Sequence, residues 1–178
     1  MDINTGSQNN NFHTDEEQQI YSEFNMQSIL WFTLASEEYA IKVEDVQTVL
    51  DDFVLTPVPN TDSFILGVIN LRGTIIPVVD LKRMFQMPAS EKKEEMVVVL
   101  EIGDLNNLKV GILVDRVNEV LDIDFSALQD PPPSLSSLGS EYVTGMHKMA
   151  SNVLIIVDIV KIIQIAKQII DSKSKKDE

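Results

Sequence analysis

The chain has 178 residues, with 28 acidic against 14 basic side chains, a net charge of −14 and no cysteine. That charge repels a phosphate backbone and an anionic membrane surface, and the lack of cysteine removes disulfides, thiol nucleophiles and cysteine metal sites. The length suits one domain or two small halves sharing a core, and the polar start and short apolar runs lead to the expectation of a cytoplasmic protein without membrane insertion.

Residues 1–27 hold five acids (Asp2, Asp15, Glu16, Glu17, Glu23), no Lys or Arg, and a run of Asn from Asn9 to Asn11. This composition buries too little apolar surface to offset the entropy of ordering, so an acidic disordered tail is expected. Residues 29–34 and 39–43 read as the two arms of a hairpin about Ser36-Glu37-Glu38. Residues 44–49 suit a short helical turn or a further strand. Residues 54–58 read as an edge strand, because Pro57 and Pro59 withhold two ladder donors. Strands are expected at 65–69 and 74–79, joined by Asn70-Leu71-Arg72-Gly73, where Asn and Gly tolerate the positive φ of a tight hairpin. Pro77 marks an edge or a bulge, and Asp80 is placed to cap a helical turn over 81–85.

A charged linker over 90–95 separates this half from the next. Strands follow at 96–102, 109–114 and 117–123, with a loop at 103–107. Pro131-Pro132-Pro133-Ser134 with Ser136-Ser137 is a stiff polar connection. Residues 153–157 read as a buried strand, after which Asp158 caps an amphipathic helix with Ile159, Ile162, Ile163, Ala166, Ile169 and Ile170 on one stripe. A charged end closes the chain.

Two segments recur. Phe64, Gly67 and Asp80 match Tyr142, Gly145 and Asp158 in spacing, and the nine residues from Val43 resemble the nine from Val114. Short strands in two related halves, with one long helix only at the end, indicate a mainly β protein built as paired small barrels.

Catalysis finds little support in the residue inventory. The histidines are His13, in the tail, and His147, read as a solvated loop residue. Asp51-Asp52 and Asp122/Asp124 raise an alternative, a small-ligand or metal-sensing barrel, but neither pair has the ordered oxygen-ligand loop of a Ca²⁺ site. No phosphate loop, nucleophile elbow or zinc motif is present. No cofactor is expected.

Arg72 stands apart, being one of three arginines, with Arg83 and Arg116, in an acidic chain. The positions matching residues 70–73 in the second copy are Lys148, Met149, Ala150 and Ser151, so the repeated unit does not itself demand arginine there. A guanidinium beside Leu71 and apolar strands has the chemistry of an interface anchor. Gly67 reads first as a bulge glycine, and Val46 and Met96 as core residues.

The motif from Gly67 to Leu81, Gly-Val-x-Asn-x-Arg-Gly-x-x-x-Pro-Val-x-Asp-Leu, resembles the CheW family of chemotaxis coupling proteins. Glu38-Tyr39-Ala40-Ile41, Val46-Gln47, residues 110–115, Val120-Leu121 and residues 141–145 extend the resemblance over about residues 28–165. It implies two SH3-like five-stranded barrels, each around its own apolar core, with a C-terminal helix. It also implies a non-catalytic adaptor joining the cytoplasmic helical-hairpin tip of chemoreceptors to the histidine kinase CheA, through that kinase's CheW-like regulatory domain. The positions implied for receptor contact are Val46, Gly67, Arg72 and Met96. The assembly implied is a monomer or a component of ring-forming arrays. Thr48 departs from the family pattern, which often has glutamate there. A pilus-type signalling pathway would use the same module. The expected division is a first barrel over 28–90, a second over 91–157, the helix over 158–171 and a charged end over 172–178.

Overall fold

The structure, a computed structural model, describes residues 25–89, 94–134 and 138–174. Most of the expected tail, residues 90–93 of the linker, Ser136-Ser137 and residues 175–178 lie outside the described residues, as does the side chain of Ile170. Ten strands are described: β1 (Met26–Leu34), β2 (Glu37–Lys42), β3 (Val46–Leu50), β4 (Ile65–Leu71), β5 (Thr74–Asp80), β6 (Met96–Ile102), β7 (Leu108–Val114), β8 (Arg116–Asp124), β9 (Val143–Lys148) and β10 (Val153–Val157). A single helical turn, α1 (Leu81–Met84), follows β5, and α2 (Ile159–Ser174) follows β10.

Local chemistry accounts for most of these boundaries. The β1–β2 hairpin turns on Ala35-Ser36, both in left-handed backbone (φ 52° and 70°), one step before the expected turn. The Asp80 carboxylate accepts the Lys82 and Arg83 amides at 2.9 and 3.3 Å, closing the start of α1 as expected, and Asp158 accepts the Lys161 amide at 3.0 Å for α2. Residues 43–49 combine both readings offered for them, a 3₁₀ turn at Val43–Asp45 and then β3. Residues 54–58 do not form a strand; only Thr56 bridges Val68. β1 begins at Met26, inside the expected tail. β9 was not evident from its mixed sequence, and it carries His147, opposite Leu154, in a strand rather than a loop.

The strands form two five-stranded sheets, in the orders β8-β1-β2-β10-β9 and β3-β6-β7-β5-β4. This corrects the expected division at residue 90. Each barrel takes the leading hairpin of one sequence copy and the last three strands of the other, so β3 pairs with β6 and β8 with β1. The reason lies in the connections. β7 ends at Val114 and β8 starts at Arg116, leaving Asp115 alone between them. A hairpin needs at least about two loop residues, so β8 cannot turn back on β7 and crosses to the other sheet.

The expectation of one core per barrel is also incomplete. Ile69, Ile76, Val78, Val97, Val99 and Leu113 fill one barrel, and Ile29, Ala40, Ile123, Leu154 and Ile156 fill the other. The largest cluster is shared by both barrels and includes Val98, Leu100 and Ile102 of β6 together with Ile155 and Val157 of β10. Ile159, Ile162, Ile163 and Ala166 of α2 join this shared cluster. Central strands buried on both faces read as unbroken apolar runs, which explains the Val-rich β6 and Ile-rich β10.

Asp115 fastens the crossing. Its amide donates to the Thr33 carbonyl at 3.1 Å, one carboxylate oxygen accepts the Ala35 amide at 2.8 Å, and the other pairs with the Lys82 ammonium of α1. Both charged side chains are largely buried, at 8% and 14% exposure. Removing one member of such a pair leaves the other charge uncompensated, so Lys82→Met should cost about 3–5 kcal/mol in urea denaturation, with part of it recovered in Lys82→Met/Asp115→Asn, which drops the charge and keeps an oxygen for the Ala35 amide. A single variant as stable as the parent would show the pair to be incidental.

Candidate functional site

The β4–β5 hairpin closes in two residues, Arg72 and Gly73, both left-handed (φ 51° and 85°), with Leu71 opposite Thr74. This turn matches the twist of the flanking strands, but a left-handed non-glycine residue costs about 1–2 kcal/mol. Asn70 does not take a turn position, as the sequence had led us to expect. It ends in β4, and its side-chain oxygen accepts the Gly73 amide at 2.9 Å, holding the turn from outside. Arg72 therefore projects from a pinned tip, exposed to solvent, and among the described residues no carboxylate lies in ion-pair range of it.

Beside the tip is a depression of about 370 Å³ lined by Gln47, Thr48 and Leu50 of β3, Leu71, Arg72, Thr74 and Ile76 of the hairpin, and Lys109 of β7. β3 and β4 are the two ends of the second sheet. Their meeting around one hollow shows that the sheet curls until its edges approach, and Leu50, Leu66 and Leu71 pack on the same interior cluster. None of the lining side chains is acidic. Lys109 lies 3.7 Å from Glu101, its partner across β6 and β7. Lys109 carried no motif, Gln47 entered only as part of the Val46-Gln47 match, and sheet closure brings both beside Arg72.

The other residues expected to act with Arg72 sit apart from this hollow. Val46, half-buried, opens β3 opposite Leu100 and packs on the shared cluster. Met96, also half-buried, opens β6 opposite Val114, and its sulfur accepts the Val117 amide at 3.4 Å on the seam between the sheets. Gly67 is buried at a bulge with φ 144°, where a Cβ would stand 2.2 Å from the Thr56 carbonyl oxygen. Thr56 and Val68 exchange backbone hydrogen bonds of 2.8 and 2.9 Å there, so Gly67 serves close backbone approach.

The carboxylates of the metal-sensing alternative do not converge. Asp51 and Asp52 follow β3 in one barrel, while Asp122 and Asp124 lie on β8 in the other. Asp122 accepts from the Ser28 hydroxyl. Asp124 caps a 3₁₀ turn, and hydrogen bonds from the Ser126 hydroxyl and amide hold its carboxyl below the usual aspartate range. Among the described residues no three His, Cys, Asp or Glu side chains are grouped to hold a metal ion.

A cavity of about 520 Å³ lies at the start of α2, with Glu44, Asp45, Asp104 and Asp158 in its lining. Lys42 spans its edge, 3.3 Å from Glu44 and 5.7 Å above the Phe125 ring.

A profile described as a CheW-like domain matches residues 28–167. The chain belongs to the CheW family. It is 38% identical over 138 residues to the chemotaxis protein CheW of Klebsiella aerogenes, covering 77% of this chain and 81% of that one. It is 35% identical over 136 residues to the chemotaxis protein CheW of Thermotoga maritima, covering 76% and 87%. The crystal structure of the scaffolding protein TtCheW from Thermoanaerobacter tengcongensis superposes with a TM-score of 0.65 at 37% identity, covering 74% of this chain and 84% of that one. Among the described residues no helix is long and apolar enough to cross a membrane.

Within this CheW fold, Asp45 gives a pH signature. Desolvation, then the neighbouring Glu44 charge, with smaller contributions from Asp104 and Asp158 against Lys42, raise its pKa above the ordinary 3.8. A raised folded-state pKa stabilises the fold below the ordinary value, and that contribution is lost as pH rises through the folded one. Asp45→Asn should therefore raise the melting temperature at neutral pH, with the gain vanishing in acid below the aspartate range. A gain that persists unchanged into acid would place the effect elsewhere.

Gly67→Ala should lose about 1–3 kcal/mol in urea denaturation, since the added methyl meets backbone rather than a side chain that can swing away. A variant of unchanged stability would show that Thr56 can yield, and that Gly67 is not held by packing.

Proposed function

We propose that the chain is a non-catalytic scaffold that couples chemoreceptors to the histidine kinase CheA in chemotaxis signalling, with the Arg72 hairpin as part of its receptor-contacting surface. The observation that carries this reading is the tip itself. A guanidinium with no carboxylate partner among the described residues is fixed in left-handed backbone beside an apolar-floored hollow, and the second sequence copy has Ala150 at the matching position. The tight hairpin accounts for the backbone, and an exposed guanidinium without an internal partner at its tip is available to a partner molecule.

The family supports the pairing of receptor and kinase as partners, and the geometry supports a division of labour among the four expected residues. Arg72 offers a planar fork of donors and an apolar stem to a helical surface. Val46 and Met96 supply half-buried apolar edges along the shared core, while Gly67 acts by shaping the strand that carries the hairpin. The chain acts by holding surfaces in fixed relation, and a cytoplasmic location at the receptor's inner tip follows from that role.

Arg72→Ala should weaken binding to a soluble receptor helical-hairpin fragment by about 1–3 kcal/mol, the range of an anchor truncation. Its urea midpoint should match the parent, because Arg72 makes no ion pair among the described residues. Titration calorimetry giving equal affinity for variant and parent would remove Arg72 from the contact.

A further inference from the structure

Matched positions of the two sequence copies differ in charge around the Arg72 hollow. Thr48 corresponds to Glu119 within the paired nine-residue segments, and Arg72 corresponds to Ala150. Lys109 and Glu38, each five residues before its segment, also correspond. Glu38 is satisfied from within, by the Trp31 indole N–H at 2.6 Å, the Thr33 hydroxyl at 3.1 Å and the Asn118 side-chain amide at 3.4 Å. Lys109 has its own partner in Glu101 at 3.7 Å. Arg72 is thus the cation of this hollow that has no carboxylate in ion-pair range among the described residues, and no acidic side chain lines the hollow.

We propose that the Arg72 hollow seats one carboxylate side chain carried on the receptor's helical surface, and that Thr48 is the residue that lets it enter. This names the chemistry of the contact and rests on the receptor reading above. A guanidinium fork binds a carboxylate through two parallel hydrogen bonds, and the pinned two-residue turn fixes the position from which the fork is offered. Leu50 and Leu71, half-buried, and Ile76, fully buried, give the methylenes of an Asp or Glu an apolar floor. The Thr48 and Thr74 hydroxyls and the Gln47 amide add donors along the wall. A volume of about 370 Å³ takes a side chain from a helix lying across it, whereas a helix itself is about 10–12 Å wide. A carboxylate at position 48, such as the second copy has in Glu119, would pair with Arg72 from inside and repel the incoming one. The net charge of −14 opposes an acidic partner surface at longer range, so the seat suits a single carboxylate among neutral or basic neighbours.

The test changes the Asp and Glu residues of a soluble receptor helical-hairpin fragment singly to Asn and Gln, and titrates each against the parent chain and against Arg72→Ala. One carboxylate should prove coupled to Arg72. Its removal should weaken binding to the parent about tenfold, the scale of a hydrogen bond to a charged group, and add little to the loss in Arg72→Ala. Thr48→Glu should bind the unaltered fragment about tenfold more weakly than Thr48→Gln, which has the same size without the charge. Both differences should shrink between about 0.1 M and 1 M salt, as the screening length falls from about 10 Å to about 3 Å. If Arg72→Ala weakened binding but no carboxylate were coupled to it, the proposal would be overturned and the receptor reading would stand. Equal binding by Thr48→Glu and Thr48→Gln would overturn it too. Equal affinity of Arg72→Ala and parent would remove the receptor reading and the seat together.

Discussion

The architecture turns on one buried carboxylate. Asp115 is the sole residue between β7 and β8, at the point where the chain leaves one sheet for the other. Its backbone meets Thr33 and its side chain meets Ala35 and Lys82, so the first hairpin of one barrel and the helical turn of the other are bound to the same corner. A charge withdrawn from water is tolerable only when its oxygens are satisfied, and here an amide and an ammonium both do so. The left-handed Ala35-Ser36 turn, costly on its own, is held by the same contact.

From that crossing follows a body whose halves are not separable. Neither copy of the repeated sequence contains a complete sheet, and the largest apolar cluster belongs to both barrels and to α2 at once. Such a body is suited to holding surfaces at a fixed distance and angle. A protein that transmits by contact needs that rigidity more than it needs a cavity with reactive groups.

The duplication makes the two barrels alike in path but unlike at their exposed ends. Arg72 and Lys109 line the hollow at the β4–β5 tip, while Glu37 and Glu38 line the hollow beside the matching β9–β10 connection. The two paths share an Asp cap after the last strand and a glycine in its partner, but the β4–β5 turn closes in two residues and the β9–β10 connection takes four. The copies thus differ in the length of this connection and in the charge beside it, which alters the partner chemistry each end offers.

How much of this was legible in the sequence depends on the range of the interaction involved. The hairpins, the Asp80 and Asp158 caps, the α2 stripe and the prominence of Arg72 could be read directly, because each rests on contacts a few residues apart or on an internal comparison between copies. Gly67 could be read as a bulge, since only a residue without Cβ fits so close to another backbone. The exchange of strands between barrels could not be read, because the repeat makes consecutive strands look like natural neighbours and the one-residue connection at Asp115 decides otherwise. β9 escaped notice because its edge position leaves all of its side chains but one at least partly in water, without a clean alternation. The hollow itself, with Gln47, Thr48 and Lys109 gathered around Arg72, exists only once the two ends of a curled sheet meet, and pairing of edges distant in the chain leaves no periodic mark on the sequence.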